Sequence, residues 1–144
     1  MLDVSTETVI DRPRGAVADY AGDPVNAPHW YANIASVEWL TAPPLRVGSK
    51  LAFVANFLGR RLAYTYEVTE LEPGRRLVMR TAQGPFPMET TYEWADAGTG
   101  TRMTLRNRGM PAGFSRLVAP FMSIAVRAAN RKDLARLKQI LEAH

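Results

Sequence analysis

Hydrophobic and polar positions first alternate by twos, then recur every three to four residues, return to twos for most of the chain, and end in a long helical stripe. "LDVSTETVI" alternates as a strand. Pro13 then stands at a first helical position, with Val17 and Tyr20 three apart behind it and Gly22 as the stop. A second short helix follows Asp23, kept short by Pro24 and Pro28 and ending near Trp30.

From Ile34 the period is two, and the turn signals "APPLRVGS", "FLGRR", "EPGRR", "QGPFP" and "DAGTGT" cut the stretch into six strands. "EPGRR" holds Pro-Gly in the order of a type II turn. Parity places Leu51, Phe53, Ala55 and Phe57 on one side of a strand and Leu62, Tyr64, Tyr66 and Val68 on the same side of its neighbour. Leu77, Met79 and Thr81, then Met88, Thr90, Tyr92 and Trp94, then Met103, Leu105 and Asn107 continue this apolar face. Glu67, Glu89, Glu93 and Arg106 take the opposite, wet parity.

After "RGMPAG" the period turns helical, and Val126, Asn130, Leu134, Leu137 and Leu141 form one stripe. The run "LVAPFMSIAV" before it is apolar nearly all round, with Phe121, Ile124 and Ala128 on a different azimuth, and Pro120 requires a kink or a fresh start. An exposed part of that run would support a homodimer or membrane contact. The order predicts one α+β domain over residues 1–144: a strand, two short helices, six strands, and a long C-terminal helix on the concave face of a curved antiparallel sheet.

Composition changes this picture little. The chain has 144 residues, 47% hydrophobic and 22% charged, an ordinary globular balance with no reason to divide it. A net charge of +4 invites a nucleic-acid partner, but the arginines are scattered over hairpin ends, one strand and the last helix, and no recognition motif accompanies them. The start lacks the basic end and apolar run of a signal peptide, and the longest apolar run is far short of the roughly twenty residues that span a bilayer. The expectation is a cytoplasmic protein without nucleic-acid partner or integral membrane segment.

The absence of cysteine excludes disulfides and thiolate chemistry, and histidines at positions 29 and 144 alone make no metal cluster. With no glycine-rich nucleotide loop and no nucleophile elbow, neither metal nor cofactor is expected. His29 is the one candidate for acid–base catalysis near neutrality. Asp133, one residue before Leu134 on the last helix, has two readings: an acid bordering a cavity or, the favoured one, a solvent-facing acid paired with Arg136 or Arg127. In "PVNAPHWYANI", Trp30 anchors the helices to the sheet and Tyr31 is peripheral.

What remains is a surface. Phe53, Phe57, Tyr64, Tyr66, Met79, Met88 and Tyr92 share a face with few charges, and the tyrosine hydroxyls and the amides of Asn107 and Asn130 need partners if buried. An apolar pocket with a few oriented polar groups suits a small hydrophobic ligand, so these residues together with Trp30 form the candidate binding set. Cavity volume discriminates: below about 300 Å³ the ligand reading loses its physical basis, and an interior filled by its own side chains would favour a ligand-free interaction module instead.

The strings "IDRPRGAVADYAGDPVNAPHW", "VGSKLAF", "YTYEVTELEPGRRL", "GTRMTLRNRG" and "DLARLKQILE" stand in an order that resembles the polyketide cyclase/dehydrase and lipid-transport family of the START-like superfamily, also called SRPBCC or Bet v 1-like. The resemblance runs nearly end to end. It implies the helix-grip fold, with a hydrophobic cavity between curved sheet and long helix for a lipid, polyketide or other apolar metabolite. It also implies an alternative, a polyketide cyclase, aromatase or dehydratase, in which His29 would act as acid or base beside Tyr64, Tyr92 or Asn107. The sequence departs from such an enzyme in offering no arginine or acid pair read as facing the cavity.

Overall fold

The computed structural model describes residues 2–57, 59–84, 87–109 and 119–143. Strand β1 (Leu2–Ile10) leads into α1 (Arg14–Ala21), a 3₁₀ turn (Pro24–Asn26) and α2 (Ala27–Trp30). Six strands follow: β2 (Ile34–Trp39), β3 (Lys50–Phe57), β4 (Arg60–Glu72), β5 (Arg76–Gln83), β6 (Met88–Ala97) and β7 (Gly100–Gly109), before helix α3 (Ala119–Glu142). Pro13 caps α1 from just outside rather than opening it, a shift of one residue. Helix α3 begins beside Pro120, so that proline sits in the first turn, where its missing N–H costs nothing. The "QGPFP" turn, the tip of "FLGRR", the stretch from 110 to 118 and His144 lie outside the described residues, wholly or in part.

The sheet is antiparallel throughout, in the order β1-β7-β6-β5-β4-β3-β2. Each neighbour is the next strand in sequence except β1, which pairs with the last. Register shifts in β2 and at two places in β4 bend the strands and help to curl the sheet into a half-barrel. At the β4–β5 turn, Arg75 N–H donates to Glu72 C=O at 2.9 Å, and Gly74 holds φ +77° at the third position, the backbone a type II turn demands.

The apolar parity faces inward: Leu51, Phe53, Val68, Leu77, Met79, Trp94, Met103 and Leu105 are buried with Leu134, Leu137 and Leu141 of α3. The outer face is less wet than its parity suggests, because Val78 and Thr91 are also buried there. They pair across β5 and β6 between Arg76–Glu93 and Arg80–Glu89, whose long side chains shield them while forming ion pairs at 2.9 Å each.

The last turn of α3 is tied to the end of β1. Arg12 Nη1 donates to Leu141 C=O at 2.7 Å, and Asp11 N–H donates to Glu142 at 2.8 Å. The arginine thus sits where a helix C-terminus favours a cation. Thr101, fully buried, donates to Arg12 C=O at 2.8 Å and holds the same junction from β7. Thr101→Val should therefore lower unfolding free energy by about 1 kcal/mol in chemical denaturation, with the fold retained.

Candidate functional site

Helix α3 is apolar and closely packed on the sheet over its last turns, where Leu134, Leu137 and Leu141 join the main core. Its earlier turns instead face a cavity of about 150 Å³. Met122, Val126, Ala129, Asn130 and Asp133 supply one wall from the helix, and the concave face of the sheet, chiefly β3 to β7, supplies the other together with Tyr31 and Asn33. The volume is about half the roughly 300 Å³ below which size alone no longer supports a ligand site. It compares with an engineered apolar cavity of about 150 Å³ that admits benzene.

Eight of the predicted positions meet on this wall: Phe53, Tyr64, Tyr66, Met79, Met88 and Tyr92 with Asn107 and Asn130. Strand alternation explains why, since residues of one parity on neighbouring strands share the concave face. The rings form one aromatic cluster. Phe53 stacks on Tyr64 at 5.6 Å, and Tyr66 meets both edge-on, at 5.4 Å from Phe53 and 5.0 Å from Tyr64. Backbone pairing places Phe57 opposite Arg60, but its side chain lies outside the described residues.

Trp30 is fully buried behind the wall, not on it; its ring packs 4.1 Å from Tyr31 and 5.8 Å from Tyr92. The expectation for Tyr31 needs correction. Its side chain lines the cavity, and its hydroxyl meets that of Tyr92 at 2.7 Å. His29 takes the opposite direction: it is exposed and off the cavity wall, and its backbone carbonyl accepts from Arg136 Nε at 2.6 Å. The acid–base role considered for its imidazole has no cavity geometry to act through.

The polar groups on the wall are ordered. Thr90 donates to Asn107 Oδ1 at 2.7 Å, so the Tyr66 hydroxyl, 2.7 Å from Thr90, is the donor into that link. Burial pushes the Tyr66 pKa up to about 12, with the Thr90 hydrogen bond opposing, and drives Tyr31 and Tyr64 well above the usual tyrosine value. All three are neutral donors at physiological pH. Asn130 is also buried, and its Nδ2 has no partner among the described residues.

For Asp133 the cavity alternative holds over the favoured solvent-facing one. The residue is 3% exposed, lines the cavity, and accepts from Ala32 N–H at 3.0 Å through Oδ1. Of its two expected partners, Arg136 is engaged with His29 C=O instead, and neither it nor Arg127 forms an ion pair with Asp133. Burial raises the Asp133 pKa to about 6, with the Ala32 hydrogen bond opposing. One sequence signal does point to it: Asp133 follows Val126 by seven residues, within about 20° of the same azimuth on the helix. Among the described residues, no group of three or more His, Cys, Asp or Glu side chains is placed to hold a metal ion.

The model of the family "Polyketide cyclase / dehydrase and lipid transport" matches residues 1–142. No curated protein matches the sequence. Among solved structures, a protein of Thermus thermophilus is similar at 20% identity and TM-score 0.84, covering 98% of this chain and 97% of that one. The Zhui aromatase/cyclase of a Streptomyces species is similar at 15% identity and TM-score 0.78, covering 97% and 93%. A START superfamily protein of Mycobacterium smegmatis gives 15% identity and TM-score 0.71, covering 98% and 94%. At these identities the three structures speak for the helix-grip fold. No described helix is long and apolar enough to cross a membrane.

Proposed function

Since the chain belongs to the polyketide cyclase/dehydrase and lipid transport family, we propose that it binds a small hydrophobic molecule in the cavity between the curved sheet and α3. One observation carries this reading: the apolar parity of five strands and the early turns of α3 enclose space instead of filling it. Aromatic rings and methionines give such an occupant apolar contact, and the fixed hydroxyls and amides give it orientation. The volume falls short of the roughly 300 Å³ asked of such a site, so the reading rests on the family and on the character of the lining, with an occupant of about one substituted ring.

The test is recovery of the occupant. Protein purified from its native host, extracted and examined by mass spectrometry, should yield the same small lipophile in repeated preparations. Consistently empty protein that also fails to bind one-ring hydrocarbons would refute the reading. Tyr64 offers a finer check, because its hydroxyl lies on the wall and makes no hydrogen bond among the described residues. Tyr64→Phe should weaken an oxygen-bearing ligand by about 1 kcal/mol in calorimetry and leave the denaturation midpoint unchanged.

Asp133 favours a second reading, proton transfer on a carbonyl compound in the same cavity, of the kind a cyclase or dehydratase performs. A buried carboxyl with a pKa near 6 can exchange a proton close to neutrality. The Tyr31–Tyr92 hydroxyl pair on the same wall keeps one O–H free of the pair, a donor suited to an enolate oxygen. In this reading the aspartate takes the part first considered for His29. Asp133→Asn should then lower turnover about a hundredfold or more with ligand binding retained, whereas His29→Gln should leave turnover unchanged.

A further inference from the structure

One carboxylate oxygen on the cavity wall is uncommitted. Asp133 uses Oδ1 for the Ala32 N–H at 3.0 Å, and its Oδ2 makes no hydrogen bond among the described residues. That Oδ2 is nevertheless not sealed in, for it keeps accessible surface, whereas Asn130 Nδ2, three residues earlier, is fully enclosed. Because Asp133 is 3% exposed and lines the cavity, the open surface of its carboxylate faces inward.

An ionised carboxylate only accepts hydrogen bonds and has room for about four, so Oδ2 calls for a donor. No lysine, arginine or histidine stands among the described lining residues to supply one. With its pKa raised by burial to about 6, the group is mostly ionised at neutral pH and holds a charge that nothing nearby compensates. Folding has already stripped water from this carboxylate. A cation entering the cavity therefore bears only its own desolvation and gains an ion pair in return.

The surroundings of that charge are aromatic. Burial above all, and the Asp133 charge with it, raises the pKa of both Tyr31 and Tyr92, which places their hydroxyls close to the carboxylate. Phe53, Tyr64 and Tyr66 form the ring cluster on the sheet side of the same space. The negative faces of such rings attract an ammonium, most strongly where water is excluded. A carboxylate ligand would instead meet a like charge and no cation.

Resting on the cavity being a ligand site, we infer that its occupant is a small aryl-alkyl amine whose ammonium donates to Asp133 Oδ2 while its ring lies among the aromatic side chains, and that carboxylates of the same size are excluded. Four probes of similar shape decide this by calorimetry at neutral pH: benzylamine, benzyl alcohol, ethylbenzene and benzoate. Asp133→Asn is measured beside the wild type. It keeps an oxygen for Ala32 N–H but replaces the charged acceptor with a neutral NH₂ donor.

The wild type is expected to bind benzylamine about tenfold more tightly than ethylbenzene, benzyl alcohol less tightly than benzylamine, and benzoate not measurably. Asp133→Asn should lose about tenfold in benzylamine affinity and retain ethylbenzene, which shows that its cavity is intact. If the variant binds no ethylbenzene, the order of the four probes in the wild type decides alone. Benzylamine binding no tighter than ethylbenzene or benzyl alcohol, benzoate binding as tightly as benzylamine, or a benzylamine-to-ethylbenzene ratio unchanged in Asp133→Asn overturns the inference while leaving a ligand cavity in place. If none of the four probes binds the wild type, the ligand-site reading itself fails and takes this inference with it.

Discussion

Trp30→Ala should lower the unfolding free energy by about 3–5 kcal/mol, the largest loss expected from any single change near the cavity. The indole is fully buried at the end of α2 and packs against Tyr31 and Tyr92, so it joins the helix pair to the concave face. Its Nε1 has no partner among the described residues, so truncation orphans no acceptor and the cost is one of packing and cavity formation. Denaturant titration should show a lower midpoint. Trp30→Phe, which keeps a ring in the same space, should recover a substantial part of the loss. A loss below about 1 kcal/mol for the alanine variant would mean that Trp30 is not a core anchor.

The same substitution bears on the site. Tyr31 and Tyr92 hold their hydroxyls 2.7 Å apart, with Trp30 packed against both rings. Removing that support should loosen the pair and weaken ligand binding even in conditions where the variant remains folded. Stability and recognition are thus linked through one indole that does not itself line the cavity.

The three ring residues of "PVNAPHWYANI" show what was legible in the sequence. Trp30 as an anchor follows from its place after two short helices and before an alternating strand. Adjacent side chains on a helix diverge by about 100°, which sends His29 to solvent while Trp30 enters the core. Tyr31 was not legible in the same way. It leaves the helix with φ −84° and ψ 120°, an extended conformation, and its inward position depends on a partner sixty-one residues later.

Strand parity carries most of the site because the period of two makes every inward residue on neighbouring strands face the same space. Phe53, Tyr64, Tyr66, Met79 and Tyr92 reach the wall for that reason alone. Parity cannot report cavity volume, which depends on how closely α3 approaches its different neighbours. Nor can it report Asp133, whose carboxylate normally belongs in water. Only the Ala32 N–H, supplied from a distant part of the chain, makes that burial tolerable.

Asp133→Asn should stabilise the protein at pH 8 by on the order of 2–3 kcal/mol while leaving stability near pH 4 almost unchanged. The carboxyl has a pKa of about 6 in the folded protein against 3.8 for the ordinary value. Between those values the folded state holds the proton more firmly than the unfolded chain, so unfolding free energy falls as pH rises. The contribution is fully present below about 3.8, declines through about 6, and is lost above it. Two units of raised pKa correspond to about 3 kcal/mol. Asparagine has the same shape, retains an oxygen for Ala32 N–H, and places no charge in the apolar wall. Denaturation curves of both proteins from pH 4 to pH 8 isolate this contribution, because the other titrating groups are common to the two. Their difference should grow through pH 4–6 and then level off. Parallel profiles would show that Asp133 is not held in its neutral form by burial, and the proton-transfer reading of the cavity would lose its acid.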